Sequence, residues 1–256
     1  MEKINHNLKV IYILWLRQLK RHFRSKSRMF ASIAQPLLFL VSLGFGFRSM
    51  YSVANNGGDY IQFLVPGIVA MSIVFSAMFG GIEVIIDKQF GFLKETLVAP
   101  VSRLTIMIGR TLGGATVAVF QGMVILAISL LFGFSLQSFG WLLVLLVFMF
   151  LVALMFTSLG TAFASLFNDM HAFPMIINFI VMPLFFLSGA LFPLDNLPYF
   201  LDIITKFNPL SYGVDGIRGS LILSFNFNIW LDLTVLGGVT ILFLVLGSYL
   251  FRKIEV

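Results

Sequence analysis

Five long stretches without Asp, Glu, Lys or Arg dominate this sequence. They cover residues 29–47, 60–82, 111–168, 170–194 and 233–251. A helix that crosses the ~30 Å hydrocarbon core of a bilayer needs about 20 apolar residues, and each stretch reaches about that length. A soluble domain carries about a quarter charged residues, whereas this chain of 256 residues has 11% charged and 59% hydrophobic residues. The sequence therefore predicts an all-α integral membrane protein.

The longest stretch, 111–168, is too long for one helix. Its centre, residues 133–140, combines glycines and serines in a pattern typical of a turn, so we predict two spans here and six transmembrane helices in total. The predicted spans are about 29–47, 60–82, 111–132, 141–165, 172–193 and 233–251. We interpret residues 29–256 as one membrane domain, preceded by an N-terminal segment 1–28.

The distribution of basic residues predicts the orientation of these spans. Fourteen of the 17 Lys and Arg residues lie before the first predicted span, between the second and third, or after the last. Only Arg48, Lys206 and Arg218 lie on the opposite side. Because cytoplasmic flanks of membrane proteins carry an excess of Lys and Arg, we predict that both termini are cytoplasmic.

The N-terminal segment 1–28 has the pattern of an amphipathic helix. Apolar residues recur at three- and four-residue spacing, and basic residues fall on the opposite face. Such a helix lies in the membrane interface. Its basic face either meets anionic headgroups or an acidic partner, or the helix serves only as an anchor that sets the topology. The apolar residues are Leu8, Ile11, Tyr12, Trp15, Leu16, Leu19 and Phe23, and the basic ones are Arg17, Lys20, Arg21, Arg24 and Arg28.

The connection 83–110 is the largest predicted cytoplasmic loop. It places four apolar side chains among charged residues, and a short amphipathic helix ended by Pro100 fits this pattern. These side chains either enter a groove on a partner protein or fold back on the ends of the spans. The four are Phe90, Phe92, Leu93 and Leu97.

The connection 195–232 lies on the opposite side of the membrane. Its apolar pieces 201–204 and 217–223 are too short to cross. We predict re-entrant or interfacial helices, which are tolerated at membrane depth only when they pack against protein or line a wet cavity.

Motifs for nucleotide binding and catalysis are missing from the sequence. A Walker loop needs a Gly-Lys pair, and the chain contains none. Without cysteine and with three scattered histidines, a metal site is not expected. Gly109 and Gly113 match a small-residue helix contact, for which ordinary packing of spans is the better explanation. Glu83 and Asp87 lie at the end of a predicted span, and we interpret them as topology and loop residues.

Two groups of residues carry a resemblance to a known family. The first is Phe90-Gly91-Phe92-Leu93-Lys94-Glu95-Thr96-Leu97 followed by Pro100-Val101-Ser102-Arg103. The second is Leu187-Ser188-Gly189, Phe192-Pro193, Leu197-Pro198 and Asn208-Pro209-Leu210-Ser211-Tyr212, with Arg218 six residues on. Together they resemble the permease family of type 2 ABC exporters, and the first group resembles the branch of daunorubicin-resistance and nodulation-factor permeases.

The resemblance implies a permease subunit of an exporter in the plasma membrane. It implies two permease chains, identical or related, that are powered by a separate ATP-binding subunit, which holds the ATP and Mg. The implied cargo is a hydrophobic or amphipathic drug, lipid or lipo-oligosaccharide, with export of polysaccharide or glycolipid as the alternative within the family. A self-sufficient secondary carrier or a membrane-embedded enzyme is the rival from another class, and would be expected to carry charges in the middle of its spans or inverted repeats.

The same resemblance implies three sets of functional residues. The ATPase-coupling loop comprises Lys88, Gln89, Phe90, Gly91, Phe92, Leu93, Lys94, Glu95, Thr96, Leu97 and Pro100. The substrate path comprises Met71, Phe75, Met78 and Phe79 of the second span and Asn178, Met182, Phe185 and Phe186 of the fifth. The outer re-entrant segment carries Pro209, Tyr212 and Arg218, and we expect Arg218 to pair with an outer acid such as Asp215 or with a helix C-terminal carbonyl.

Overall fold

The structure, a computed structural model, describes residues 2–54, 59–92, 101–167, 169–194 and 198–252. Across these ranges the chain forms helices joined by turns and has no strand. The helices are α1 (Glu2–Arg24), α2 (Lys26–Gly46), α3 (Arg48–Ala54), α4 (Tyr60–Phe79), α5 (Ile82–Gln89), α6 (Arg103–Leu131), α7 (Leu142–Leu166), α8 (Ala172–Phe186), α9 (Tyr199–Phe207), α10 (Pro209–Ile222) and α11 (Ile229–Arg252), and a short 3₁₀ turn, Phe139–Trp141, precedes α7.

Five helical stretches of the described chain are long and apolar enough to cross a membrane. They lie in α2, in α4 with α5, in α6, in α7 with the turn before it, and in α11. This arrangement confirms the prediction of an all-helical, multi-pass membrane protein. The predicted span 172–193 contains α8, which has only 15 residues and rises about 22 Å. Pro183 lies in the last turn of α8, and the chain turns away at Gly189 with a φ of 75°.

Two helices depart from the predicted boundaries. Residues 60–82 were predicted as one span, but α4 ends at Phe79 and a short turn at Gly80 and Gly81 leads into α5. The third predicted span begins at residue 111, whereas α6 already begins at Arg103, because the hydroxyl of Ser102 accepts a hydrogen bond from the backbone N–H of Thr105 (3.1 Å) and caps the helix.

Helices α4 and α7 form the centre of the bundle. α4 packs against α2, α6, α7 and α10, while α7 packs in addition against α11. Their buried residues include Ile68, Met71, Phe148 and Phe156, each at most 1% exposed. This core places the end of α4, the start of α6 and the end of α7 at one end of the bundle, and the start of α4 and α10 at the other.

The amphipathic helix α1 packs lengthwise on α6. Gly109 and Gly113 form the contact, since a Cβ atom on Gly113 would lie 2.7 Å from the Cβ of Gln18. The indole N–H of Trp15 donates to the hydroxyl of Thr116 (3.0 Å). The glycine pair, which was expected to pack between spans, instead joins the N-terminal helix to α6.

Candidate functional site

Asp87 lies at the centre of a group of charged side chains near the end of α5. Its side chain is buried, with 3% of the residue exposed. One carboxylate oxygen accepts hydrogen bonds from Arg17 (3.0 Å) and Arg21 (3.1 Å), and the other accepts one from Arg110. Glu83 lies 3.6 Å from the Nε atom of Arg21. We call these five residues the arginine cluster.

Helical spacing builds the arginine cluster. Residues four apart share one face of a helix, so α5 presents Glu83 and Asp87 together and α1 presents Arg17 and Arg21 toward them. The start of α5 is fixed because the backbone at Gly81 lies against the backbone of Gly160 in α7, where a Cβ atom would approach the Gly160 carbonyl oxygen to 2.5 Å. The cluster thereby joins α1, α5 and α6.

The interpretation of Glu83 and Asp87 as topology and loop residues was wrong. Both are buried and take part in ion pairs. The signal that could have found them is the matched four-residue spacing of two arginines on one amphipathic helix and two carboxylates on another. A search for charge patterns within single segments misses a match between segments that lie far apart in the sequence.

The predicted coupling loop begins directly after the arginine cluster. Lys88 and Gln89 complete α5, Gly91 turns the chain with a φ of 81°, and the rings of Phe90 and Phe92 are 70% and 53% exposed. The guanidinium of Arg17 lies 5.5 Å from the centre of the Phe92 ring. The other predicted members lie outside the described residues: Leu93, Lys94, Glu95, Thr96, Leu97 and Pro100.

A groove of about 1100 Å³ runs between the end of α5 and the second half of α1. Phe90 and Phe92 form one wall of this groove. Basic side chains form much of the rest, so the groove offers apolar rings beside positive charge, a combination suited to an acidic protein surface. The basic residues are Arg17, Lys20, Arg21, Arg24 and Lys26.

The predicted substrate-path residues do not share one surface of the single chain. On α4, Met71, Phe75 and Met78 are buried and Phe79 is partly buried. On α8, Phe185 is buried and Met182 is half-buried, whereas Asn178 and Phe186 are exposed. The exposed pair belongs to an uncovered stripe along α8 that also contains Met175 and Phe179.

At the other end of the bundle, Asn208 joins α8 to α10. Its side-chain oxygen accepts from the N–H of Leu210 (3.0 Å) and so caps α10, whose first residue is Pro209. Its side-chain amide donates to the carbonyl of Leu184 in the last turn of α8 (2.6 Å). The hydroxyl of Tyr212 donates to the backbone carbonyl of Lys206 (2.7 Å) and so closes α9 onto α10.

Arg218, in the middle of α10, is 3% exposed and bonds to the backbone. It donates to the carbonyl of Gly189, just after α8 (2.9 Å), and its guanidinium lies 4.1 Å from the centre of the Phe63 ring. The observed acceptor is thus neither the outer acid nor the carbonyl of a helix end, since Gly189 lies in the turn three residues after the last residue of α8. Asp215 instead accepts from the N–H groups of Asn226 (2.8 Å) and Phe227 (2.9 Å). Burial raises the pKa of Asp215, and these two donors oppose that rise.

Comparison with known proteins assigns the chain to a family. Residues 9–222 match the family described as ABC-2 type transporter. The chain belongs to this family. The ABC-2 protein is 31% identical over 241 residues to the transport permease ycf38 of Cyanophora paradoxa, covering 88% of this chain and 82% of that protein. It is 33% identical over 167 residues to the inner membrane transport permease YadH of Escherichia coli K12, covering 64% and 63%.

A third relative of the ABC-2 protein is nodulation protein J of Rhizobium leguminosarum bv. trifolii. The two are 31% identical over 212 residues, which cover 81% of this chain and 76% of the relative. The resemblance drawn from the coupling loop and the segment around Asn208 is thereby confirmed. The chain is a multi-pass membrane permease, and the first two relatives are named as transport permeases.

Proposed function

We propose that this permease is the transmembrane half of an ABC exporter in the plasma membrane. Its termini and the arginine cluster lie on the cytoplasmic side, which agrees with the excess of Lys and Arg there. The chain crosses six times, with α8 and the turn after it as the fifth crossing, and α9 and α10 form a re-entrant pair on the outer side. This chain supplies the pathway, and a separate subunit binds ATP and Mg and hydrolyses the ATP.

The exposure of Phe90 and Phe92 carries this proposal. Large apolar rings on a polar end of a protein are typical of partner interfaces. They stand beside a basic groove, and the helix that ends directly before them, α5, is bound to α1 and α6 through Asp87. A partner that pushes on these rings would therefore move α1, α5 and α6 together. This is the geometry that a loop needs to transmit the closure of ATP-binding subunits into the membrane.

Two permease chains form the pathway in this proposal. The uncovered stripe on α8, with Asn178 and Phe186, lacks a partner within the described chain and would face the second copy or the cargo. Met and Phe side chains make adaptable apolar walls, which suit a hydrophobic or amphipathic cargo such as a drug, a lipid or a lipo-oligosaccharide. A related permease in place of the identical copy would give a heterodimer with the same geometry.

The experiment co-expresses the permease with a candidate ATP-binding subunit, taken from an adjacent reading frame if one encodes a Walker loop, and measures co-purification. Truncating a buried aromatic contact typically costs at least ~2 kcal/mol of binding, about 30-fold in affinity. We therefore expect Phe90→Ala/Phe92→Ala to release the ATP-binding subunit while the permease still inserts. Phe139→Ala is the matched control, because Phe139 is 75% exposed at the opposite end of the bundle. Normal co-purification and full transport with the double variant would contradict the proposed coupling.

A further inference from the structure

Asp232, in the first turn of α11, is a buried carboxyl group without a donor. The residue is 0% exposed, and neither of its side-chain oxygens accepts a hydrogen bond from the described residues. Its backbone N–H is satisfied separately, since it donates to the carbonyl of Asn228 (3.0 Å). An isolated carboxylate that is buried in this way is very costly, and such groups are neutralised instead. Asp232 therefore needs either a positive charge beside it or a proton.

The neighbour of Asp232 is another acid, Asp215 of α10. The two carboxyl groups lie within hydrogen-bonding distance of each other. Asp215 is 2% exposed, and its two oxygens already accept from the backbone N–H groups of Asn226 and Phe227. Donors of this kind favour the ionised form of a carboxyl group, whereas two buried carboxylates in contact cannot both be ionised. The charge is therefore retained on Asp215 and removed from Asp232.

The helices around the pair supply no described cation that could neutralise Asp232. α10 packs against α4, α7, α9 and α11. α7 has no titratable side chain, and the one in α4 is Tyr60, whose hydroxyl donates to the carbonyl of Leu191 (3.1 Å). On α9, the ammonium group of Lys206 is paired with Asp202 at the surface.

Two further groups face the pair from α10 itself, and each is bound elsewhere. The hydroxyl of Tyr212 donates to the carbonyl of Lys206, and Arg218 donates to the carbonyl of Gly189. α6 also packs against α11. The remaining titratable side chains that can be placed on α6 and α11 lie at the opposite end of the bundle, and they are Arg103, Arg110 and Tyr249. A proton is therefore the neutralising group that the surroundings of Asp232 favour.

We propose that Asp215 and Asp232 bind one proton between them. The carboxylic O–H of Asp232 donates to the carboxylate of Asp215, which is a strong, charge-assisted hydrogen bond. The proton thereby joins the first turn of α11 to α10. When it leaves, two buried negative charges lie side by side and repel each other, so the contact between α10 and α11 is sensitive to pH. The pair requires neither an ATP-binding subunit nor a second permease, and it goes beyond the proposed export function.

Infrared spectroscopy of the purified permease over a series of pH values detects the proton directly. At neutral pH the wild-type protein should show the C=O stretching band of a protonated carboxylic acid, and the band should disappear at higher pH. Asp232→Asn should lack it. This variant is nearly isosteric, and its amide can still donate to Asp215, so we expect it to fold. Asp202→Asn is the matched control and should keep the band, because Asp202 lies in an exposed ion pair. A wild-type spectrum without the band at neutral pH, or equal bands in wild type and Asp232→Asn, would overturn the proposal.

Thermal unfolding in detergent tests whether the proton stabilises the fold. An unfolded aspartate releases its proton near pH ~4, so above this pH the folded pair holds a proton that the unfolded chain does not. Stability then falls with rising pH until the folded pair is also deprotonated. Between pH ~5 and ~8, the melting temperature of the wild type and of Asp202→Asn should fall more steeply than that of Asp232→Asn. Parallel profiles of wild type and Asp232→Asn would contradict this role. Stabilisation by sodium chloride but not by choline chloride at equal ionic strength would identify a metal cation in place of the proton.

Discussion

The two ends of this bundle bury charged residues in different ways. In the arginine cluster, Arg17, Arg21 and Arg110 are paired with the carboxylate of Asp87, so side chains from three helices bind one another. At the other end, Arg218 and Asp215 are bound to backbone groups of segments that neither residue belongs to. The first arrangement joins helices through flexible side chains, and the second joins them through the fixed main chain.

This difference distinguishes the end with the arginine cluster, where helices are joined through side chains, from the end with Arg218, where bonds to the main chain fix the positions of the segments. The arginine cluster binds α1, α5 and α6 to one another through their side chains, so these three helices can shift as a group while the ion pairs stay formed. A bond to a backbone carbonyl breaks when the two segments move apart, since the carbonyl cannot follow. We therefore expect the helices at the end with the arginine cluster to shift relative to the rest of the bundle during transport. The segments at the end with Arg218 should keep their positions relative to one another.

The largest effect is expected from Asp87→Asn. The substitution removes the negative charge that three buried or half-buried arginines share, and breaking a buried ion pair in this way costs about 3–5 kcal/mol. Thermal unfolding in detergent should show a markedly lower melting temperature. Glu83→Gln is the graded comparison and should cost much less, because Glu83 contacts Arg21 at 3.6 Å. Equal effects of the two variants would mean that Asp87 is not the centre of the cluster.

The next largest effect is expected from Arg218→Ala, which tests the fixed end. It removes the bond to the Gly189 carbonyl and the contact with the Phe63 ring, together about 3 kcal/mol. Melting temperature and transport should both fall, while ATP binding by the partner subunit stays normal. Arg48→Ala serves as the control, since Arg48 is exposed at the same end. A variant that keeps its stability and its transport would contradict the structural role of Arg218.

A smaller effect is expected from Gly113→Ala, which tests how α1 is held beside the arginine cluster. The added methyl group would lie 2.7 Å from the Cβ of Gln18, and overpacking of this kind costs about 1–3 kcal/mol. Gly237→Ala in α11 meets no heavy atom within 4 Å, so it should raise stability by about 0.5–1 kcal/mol. The two alanines should therefore shift the melting temperature in opposite directions, and shifts of the same sign would argue against the α1–α6 contact.

The smallest effect is expected from Lys206→Ala. The ammonium group of Lys206 donates to Asp202 (2.8 Å), and this hydrogen bond raises the pKa of the lysine. The pair is exposed, and surface ion pairs contribute little to stability. The Lys206 backbone carbonyl, which accepts from Tyr212, is unaffected. We expect an unchanged melting temperature, whereas Tyr212→Phe, which removes the donor to that carbonyl, should lower it. A lower melting temperature of the Lys206→Ala variant would show that ion pairs between side chains also stabilise this end of the bundle.

The sequence predicts those helices whose position depends on the residue pattern of a single segment. Stretches without charge place the apolar helices, and the spacing of Leu and Trp along the first 24 residues predicts α1, because these patterns depend only on neighbours in the sequence. The end of α8 was less predictable, since it depends on groups from a distant segment, such as the Asn208 amide that binds the Leu184 carbonyl.

The candidate site was predictable only in part. The coupling loop and Arg218 stand out through spaced motifs, but the acceptor of Arg218, the carbonyl of Gly189 in the turn after α8, is neither of the two alternatives stated. The arginine cluster could not be read from any single segment, because residues 17, 87 and 110 meet only after α1 has packed on α6. A cavity of about 410 Å³ beside the cluster, lined by Glu83 and Arg110 among others, has the same origin, since six helices contribute to its walls.

The short length of α8 affects how the protein fits its bilayer. A helix of 15 residues rises about 22 Å, several ångströms less than the ~30 Å hydrocarbon core. Its last turn would leave carbonyls in lipid, where each unsatisfied group costs several kcal/mol. Asn208 donates to the carbonyl of Leu184 in that turn, and Arg218 donates to the carbonyl of Gly189 just beyond it; in the six-span arrangement proposed above, these two side chains would satisfy carbonyls at membrane depth. Protein groups rather than thinner lipid thus compensate for the short length of α8, while α6, α7 and α11, with 29, 25 and 24 residues, are long enough for a membrane of ordinary thickness.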